Sequence, residues 1–174
     1  MAMSAKERKQ KQLEREREQL RYLDDATYPY LAKPFHSCAS MDPNWESVTL
    51  PLELAGFNAP VFETDEGPEK FALEDALPQN EDPRETFAGF RGSIGRAEVM
   101  VDMLLDAASE LAQIINGYKA AELSERRAEI ERSDLATPEE RKIAFEAIET
   151  ISKIEGQLEK NVRRTLPQWK VKGV

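Results

Sequence analysis

One cysteine and one histidine are all that this chain offers in soft ligands and imidazoles. Cys38 alone cannot close an intramolecular disulfide and suits a reducing cytoplasm. His36 alone excludes most zinc and di-iron designs within a single chain. No run approaches the ~18 apolar residues of a membrane span, so no membrane partner is expected. The first residues are charged and lack the apolar core of a signal peptide, which points to the cytoplasm. No catalytic, metal or nucleotide motif specifies a reaction, and the expectation is a protein that is not an enzyme and carries no cofactor or metal.

What is present is charge in unequal blocks. The 174 residues carry a net charge of −9 and suggest one domain with appendages. Residues 1–23 hold seven basic and four acidic groups, residues 24–90 three and fourteen, and residues 91–174 fourteen and fifteen. A mildly basic head therefore precedes a strongly acidic middle and a balanced body, an asymmetry that bears on partners more than the total does.

The body carries the fold. Ile94, Ala97, Val101, Leu104, Ala108, Leu111, Ile115 and Tyr118 recur at alternating steps of four and three. That is a heptad seam on one helix face. Met100, Ala107, Ile114 and Ala121 run beside it and widen the face, as in a bundle rather than a bare two-stranded coil. Glu98, Asp102, Asp106 and Glu110 form an acidic stripe that reads as solvated. Asn116-Gly117 interrupts the pattern, but good helix formers resume at once, which favours a continuous helix. Ser133-Asp134 closes it. Thr137-Pro138-Glu139-Glu140 opens the next with a cap, a proline at the first position and a capping box. Ala144, Ala147, Ile151, Ile154 and Leu158 again step by three and four. A connection of about five residues predicts antiparallel neighbours, a long coiled-coil-like helical hairpin over 91–166. The first helix is the longer, and its end around 94–108 needs another cover: the middle of the chain, another copy or a partner.

The head, 1–23, opens with Ser4-Ala-Lys-Glu7, a capping box for a helix of about 18 residues. Leu13, Leu20 and Leu23 are its only large apolar groups, so it is solvated or docked. Residues 3–17, Met-Ser-Ala-Lys-Glu-Arg-Lys-Gln-Lys-Gln-Leu-Glu-Arg-Glu-Arg, resemble the openings of small phage- and prophage-encoded proteins. The resemblance covers under a tenth of the chain and implies an origin, and for location a host cytoplasm, but no site residue. The middle, 24–90, holds eight of the ten prolines and nine of the thirteen aromatics. The prolines forbid long helices and central strands, whereas the aromatics argue against plain disorder. An extended segment laying its aromatics along a surface is expected, with one short strand or helical turn at Ser47–Leu54. The end, 167–174, is a basic tail in which Pro167 stops the helix and Trp169 packs back on it.

Four groups could carry chemistry. His36 and Cys38 sit two apart, and a thiolate needs a base beside it, but an incidental loop pair is the simpler reading. Gly89-Phe-Arg-Gly-Ser-Ile-Gly-Arg96 could present backbone N–H groups to a phosphate, yet lacks the Walker sequence and reads as a hinge with a cap. Asp102, Asp106 and Glu110 lie on one face, whereas a cation needs oxygens converging from several directions. Lys9, Lys11, Arg15 and Arg17 could contact nucleic-acid phosphates, though glutamates interrupt them.

The function expected is a protein-binding adaptor or inhibitor, with a protein partner, a homo-oligomer or both. The candidate partner-binding residues are Leu13 and Leu20 on the head, Trp45, Phe62 and Phe71 in the middle, and Ile94, Val101 and Leu104 on the long helix. The alternatives are a nucleic-acid-associated regulator using the basic head, and an acidic DNA mimic that occupies a DNA-binding enzyme.

Overall fold

Helix formers and apolar steps of three and four dominate the sequence, and the described residues form helices and turns with no strand. The structure is a computed structural model describing residues 5–77, 82–162 and 164–173, without the side chains of Ala5, Glu7, Arg17, Glu18, Arg21, Glu74, Pro83 and Arg84. Its α-helices are α1 (Ala5–Arg21), α2 (His36–Ala39), α3 (Glu46–Leu54), α4 (Pro83–Thr86), α5 (Gly92–Arg132) and α6 (Pro138–Leu158). The chain divides into two compact units, one of Met1–Met103 with Gln168–Val174, the other of Leu104–Pro167. Helix α5 contributes to both and runs through Asn116-Gly117 without a break.

In the first unit, α1 is the expected charged helix. Ser4 and the Glu7 side chain lie outside the described residues, so its capping box is not placed. Gln10 Nε2 donates to Glu14 and Gln12 Nε2 to Glu16, each one turn on. The middle is not one extended segment. It folds into short helices, and Ser47–Leu54 lies within α3 in spite of Pro51. A proline inside a helix removes one ladder hydrogen bond. The end of α3 is well made: Gly56, at φ 82°, donates to Glu53 O and Phe57 to Leu52 O, a Schellman pair.

Phe62 is the apolar centre of this unit and is buried. Phe35 meets it edge-on at 5.2 Å and Trp45 at 5.9 Å between ring centroids. Arg96 lies between Phe62 and Phe71, its guanidinium 4.7 and 3.5 Å from the two ring centroids, and donates to Val61 O at 3.0 Å. Desolvated cation–π pairs of this kind contribute about 1 kcal/mol each. The expected aromatic docking surface is thus partly an interior. Its aromatics pack on each other and on the first turns of α5, where Ser93, Gly95 and Glu98 are buried.

In the second unit, α6 starts with the capping box that its sequence announces: Thr137 Oγ1 accepts from Glu140 N, and Glu140 accepts from Thr137 N. Ala144 and Ile151 are its buried residues. Arg127 donates to Ser152 Oγ at 3.0 Å and pairs with Glu155. Asn116 Nδ2 donates to Leu158 O at 2.8 Å and so satisfies a carbonyl at the end of α6. Residue numbers rise along α5 between these contacts while they fall along α6.

Two expectations need correction here. Helix α6 ends at Leu158, well before Pro167, and Trp169 belongs to the first unit, 5.9 Å from Lys170 Nζ. The heptad seam, moreover, is not the shielded face of α5 in this unit. Leu104, Ala108, Leu111, Ile115 and Tyr118 are exposed, whereas Ala120, Leu123, Arg127, Ala128 and Ile130 are half-buried. That second set lies about 140° around the helix from the seam. Apolar spacing locates a face but not its cover, and the polar anchors at Arg127 and Asn116 set where α6 lies.

Candidate functional site

Two arrangements could carry function: a knot of charged groups at the start of α5, and the open seam further along.

The knot begins with Asp65. Its Oδ1 accepts from Ser93 N at 3.0 Å and from Ser93 Oγ at 2.6 Å, which caps α5 from 28 residues upstream. The Ser93 hydroxyl and backbone hold the Asp65 carboxyl below its usual range. A carboxylate of the chain therefore occupies the position where a phosphate would sit at the start of α5. Gly92 takes φ 59°, and a Cβ on Gly95 would lie 2.7 Å from Phe90 C, so both glycines are sterically required. Ser93 Oγ in turn accepts from His36 N at 3.0 Å.

Beyond Ser93 the tail is held by carboxylates. Asp25 is almost wholly buried, and accepts from Thr27 N and Oγ1 on one oxygen and from Val171 N at 2.5 Å on the other. Burial alone would raise its pKa, but these donors outweigh it and hold Asp25 ionised. Lys170 pairs with Asp102, and Lys172 lies 4.7 Å from the centroid of Phe90. Glu98, read as part of a solvated stripe, is only 5% exposed and accepts from the Tyr28 hydroxyl at 2.7 Å. Burial pushes the Glu98 carboxyl up, and the Tyr28 bond opposes the rise. Burial, followed by the Glu98 contact, pushes the Tyr28 phenol well above its usual range.

The knot is held together within the chain. Its carboxylates accept from the chain's own hydroxyls, backbone and lysines. A neighbouring cleft of about 530 Å³ is lined by Tyr28, Leu31, Phe35 and Ile94, with Asp24 and Arg91 paired to each other at its edge. Among the described residues, no group of three potential metal ligands forms.

The other candidates are placed as follows. His36 and Cys38 fall in α2, not in an extended stretch, and two helical positions diverge by about 200°. His36 Nδ1 faces Asp65 at 3.8 Å, while Cys38 Sγ donates to Phe35 O. Asp102 is paired, whereas Asp106 and Glu110 are exposed. Lys9, Lys11 and Arg15 are exposed on α1, and the Arg17 side chain lies outside the described residues. Leu13 and Leu20 are exposed large hydrophobics, with Leu20 Cδ2 lying 2.7 Å from where a Cβ on Gly173 would be. Phe71 is partly exposed beneath Arg96, and Trp45 and Ile94 are half-buried. Val101 and Leu104 are exposed.

Leu104 opens the second arrangement. Leu111 is 57% exposed, Ile114 68% and Tyr118 65%, with Ile115 beside them. On α6, Ile143 and Phe145 are exposed as well. The sequence pattern locates these α5 residues but assigns them inward. Asp25, Tyr28, Asp65 and Lys170 went unseen, since only the Asp-x-Thr turn at 25–27 leaves a local trace. No protein-family model, curated protein or solved structure matches the chain.

Proposed function

We propose that this protein is a non-enzymatic adaptor or inhibitor that binds another polypeptide through the apolar seam of a helical hairpin formed by α5 and α6. The observation that carries the reading is the exposure of Leu104, Leu111, Ile114, Ile115 and Tyr118 on consecutive turns of one helix. Scattered surface hydrophobics are ordinary, but a contiguous apolar stripe of this length marks an interaction surface. Heptad spacing is what a second helix reads, by seating its side chains between those of the seam. The phage-like opening at residues 3–17 accords with a short accessory chain acting in a host cytoplasm.

The DNA-mimic reading is disfavoured, because Asp25 and Glu98 are buried and accept from the chain itself. The test is affinity capture with the wild type and with Leu111→Glu/Ile114→Glu. The double variant should keep its helical circular dichroism and lose a defined partner. An unchanged set of captured proteins overturns the reading. Capture that instead weakens steeply with salt, and survives the seam variant, would favour phosphate contacts from Lys9, Lys11 and Arg15.

A further inference from the structure

We infer that the occupant of the seam is a second copy of this chain, its α5 lying antiparallel along the first. The inference rests on the docking reading above and supplies its partner.

Area is the first argument. The exposed side chains from Leu104 to Ala121 on this face offer on the order of 700 Å² per copy, close to the ~800 Å² that each partner gives to a standard interface. Two seams face to face would bury the whole stripe.

Charge placement is the second. In a parallel pair of identical helices each charge meets its own copy, and in an antiparallel pair a contact charge needs an opposite charge at the matching position. A face without contact charges can therefore pair with itself in either direction. The seam positions Leu104, Ala108, Leu111, Ile115 and Tyr118 and their flank Ala107, Ile114 and Ala121 contain none. Asp106 and Glu110 fall on the far side, roughly 120–180° around the helix, where they remain solvated.

Side-chain size fixes the direction. In a parallel pair Ala108 would face Ala108 and leave a void, one layer from Leu111 facing Leu111. An antiparallel pair with its two-fold axis between residues 109 and 110 sets Ala108 against Leu111 and Leu104 against Ile115. Ala108 then meets a leucine instead of a second alanine, and no seam layer is left with small facing small. The helix dipoles also oppose each other in that arrangement.

Light scattering tests the assembly on the full chain. Wild type at about 100 µM, far above micromolar dissociation constants, should give twice the monomer mass of 19.8 kDa. Leu111→Glu/Ile115→Glu should halve that mass without altering helical dichroism. For direction, labels on Ala121→Cys in a Cys38→Ser background should lie about 35 Å apart if the helices are antiparallel and about 10 Å apart if parallel. The short separation overturns the antiparallel pairing. A monomeric wild type that takes up an apolar dye, with uptake lost in the double variant, overturns pairing with a second copy but leaves the seam open for a different protein. A monomer without dye uptake overturns both.

Discussion

The hydroxyl of Tyr28 donates to Glu98 Oε2 at 2.7 Å across 70 positions of sequence, and the carboxylate that it meets is buried. Burial raises the folded-state pKa of Glu98 above the ordinary carboxyl range, against the opposing Tyr28 hydrogen bond. The sign follows: a raised carboxyl contributes stability below its unfolded pKa, and that stability is lost as pH rises through the folded pKa. Glu98→Gln keeps an acceptor for Tyr28 and removes the charge. It should be neutral or stabilising at pH 7 and flatten the loss of stability that sets in as pH rises above the unfolded carboxyl value of about 4.3. Urea melts at several pH values check this, and a strongly destabilised Glu98→Gln would contradict it.

Asp25 behaves in the opposite sense. Its pKa lies below 3.8, so its contribution is present above the unfolded value and lost as pH falls through the folded one. Asp25→Asn would turn a donor toward Val171 N–H and leave buried groups unsatisfied, at a cost of about 1–3 kcal/mol. Faster amide exchange at Val171 and Ala26, whose N–H donates to Val171 O, should accompany the loss.

Ile151 and Leu111 give a ranking. Ile151 is 7% exposed, and Leu111 is 57% exposed. Ile151→Asp should cost several kcal/mol, enough to unfold a marginal domain. Leu111→Asp should lower the melting temperature of the isolated chain little and act on association instead. Thermal melts at low concentration, where monomers prevail, decide the order.

Two glycines of α5 should respond oppositely to alanine. Nothing lies within 4 Å of a Cβ added to Gly117, so Gly117→Ala should stabilise by about 0.5–1 kcal/mol through helix propensity. A Cβ on Gly95 would meet the Phe90 backbone, so Gly95→Ala should destabilise despite the same propensity gain. Chemical denaturation of the two single variants checks the pair.

Local signals explain what could be read in advance. Thr137 and Glu140 announce a helix start within four residues, and the steps from Ile94 to Tyr118 announce a helix face. Both depend on neighbours along the chain, as helices do. The covering of that face depends on groups far apart in sequence. Nothing around Glu98 signals Tyr28, and nothing around Ser93 signals that Asp65 will cap it. Pro51 argued for an interrupted segment, yet α3 forms around it because only one ladder bond is removed. The basic end suggested a helix running toward Pro167, but α6 stops at Leu158 and leaves Lys170 for Asp102.

The first unit is assembled from two stretches with Leu104–Pro167 inserted between them. Synthesis on the ribosome delivers Asp25, Glu98 and Asp102 long before Lys170, Val171 and Lys172. At typical elongation rates roughly 4–15 s separate Glu98 and Asp102 from them, and roughly 7–30 s separate Asp25. During that interval the acidic residues wait without the lysines and backbone N–H that complete their hydrogen bonds. The nascent chain is therefore expected to pass through a state in which the first unit is unfinished. Stalling translation before residue 170 should trap that state, with the region around Asp25 open to protease.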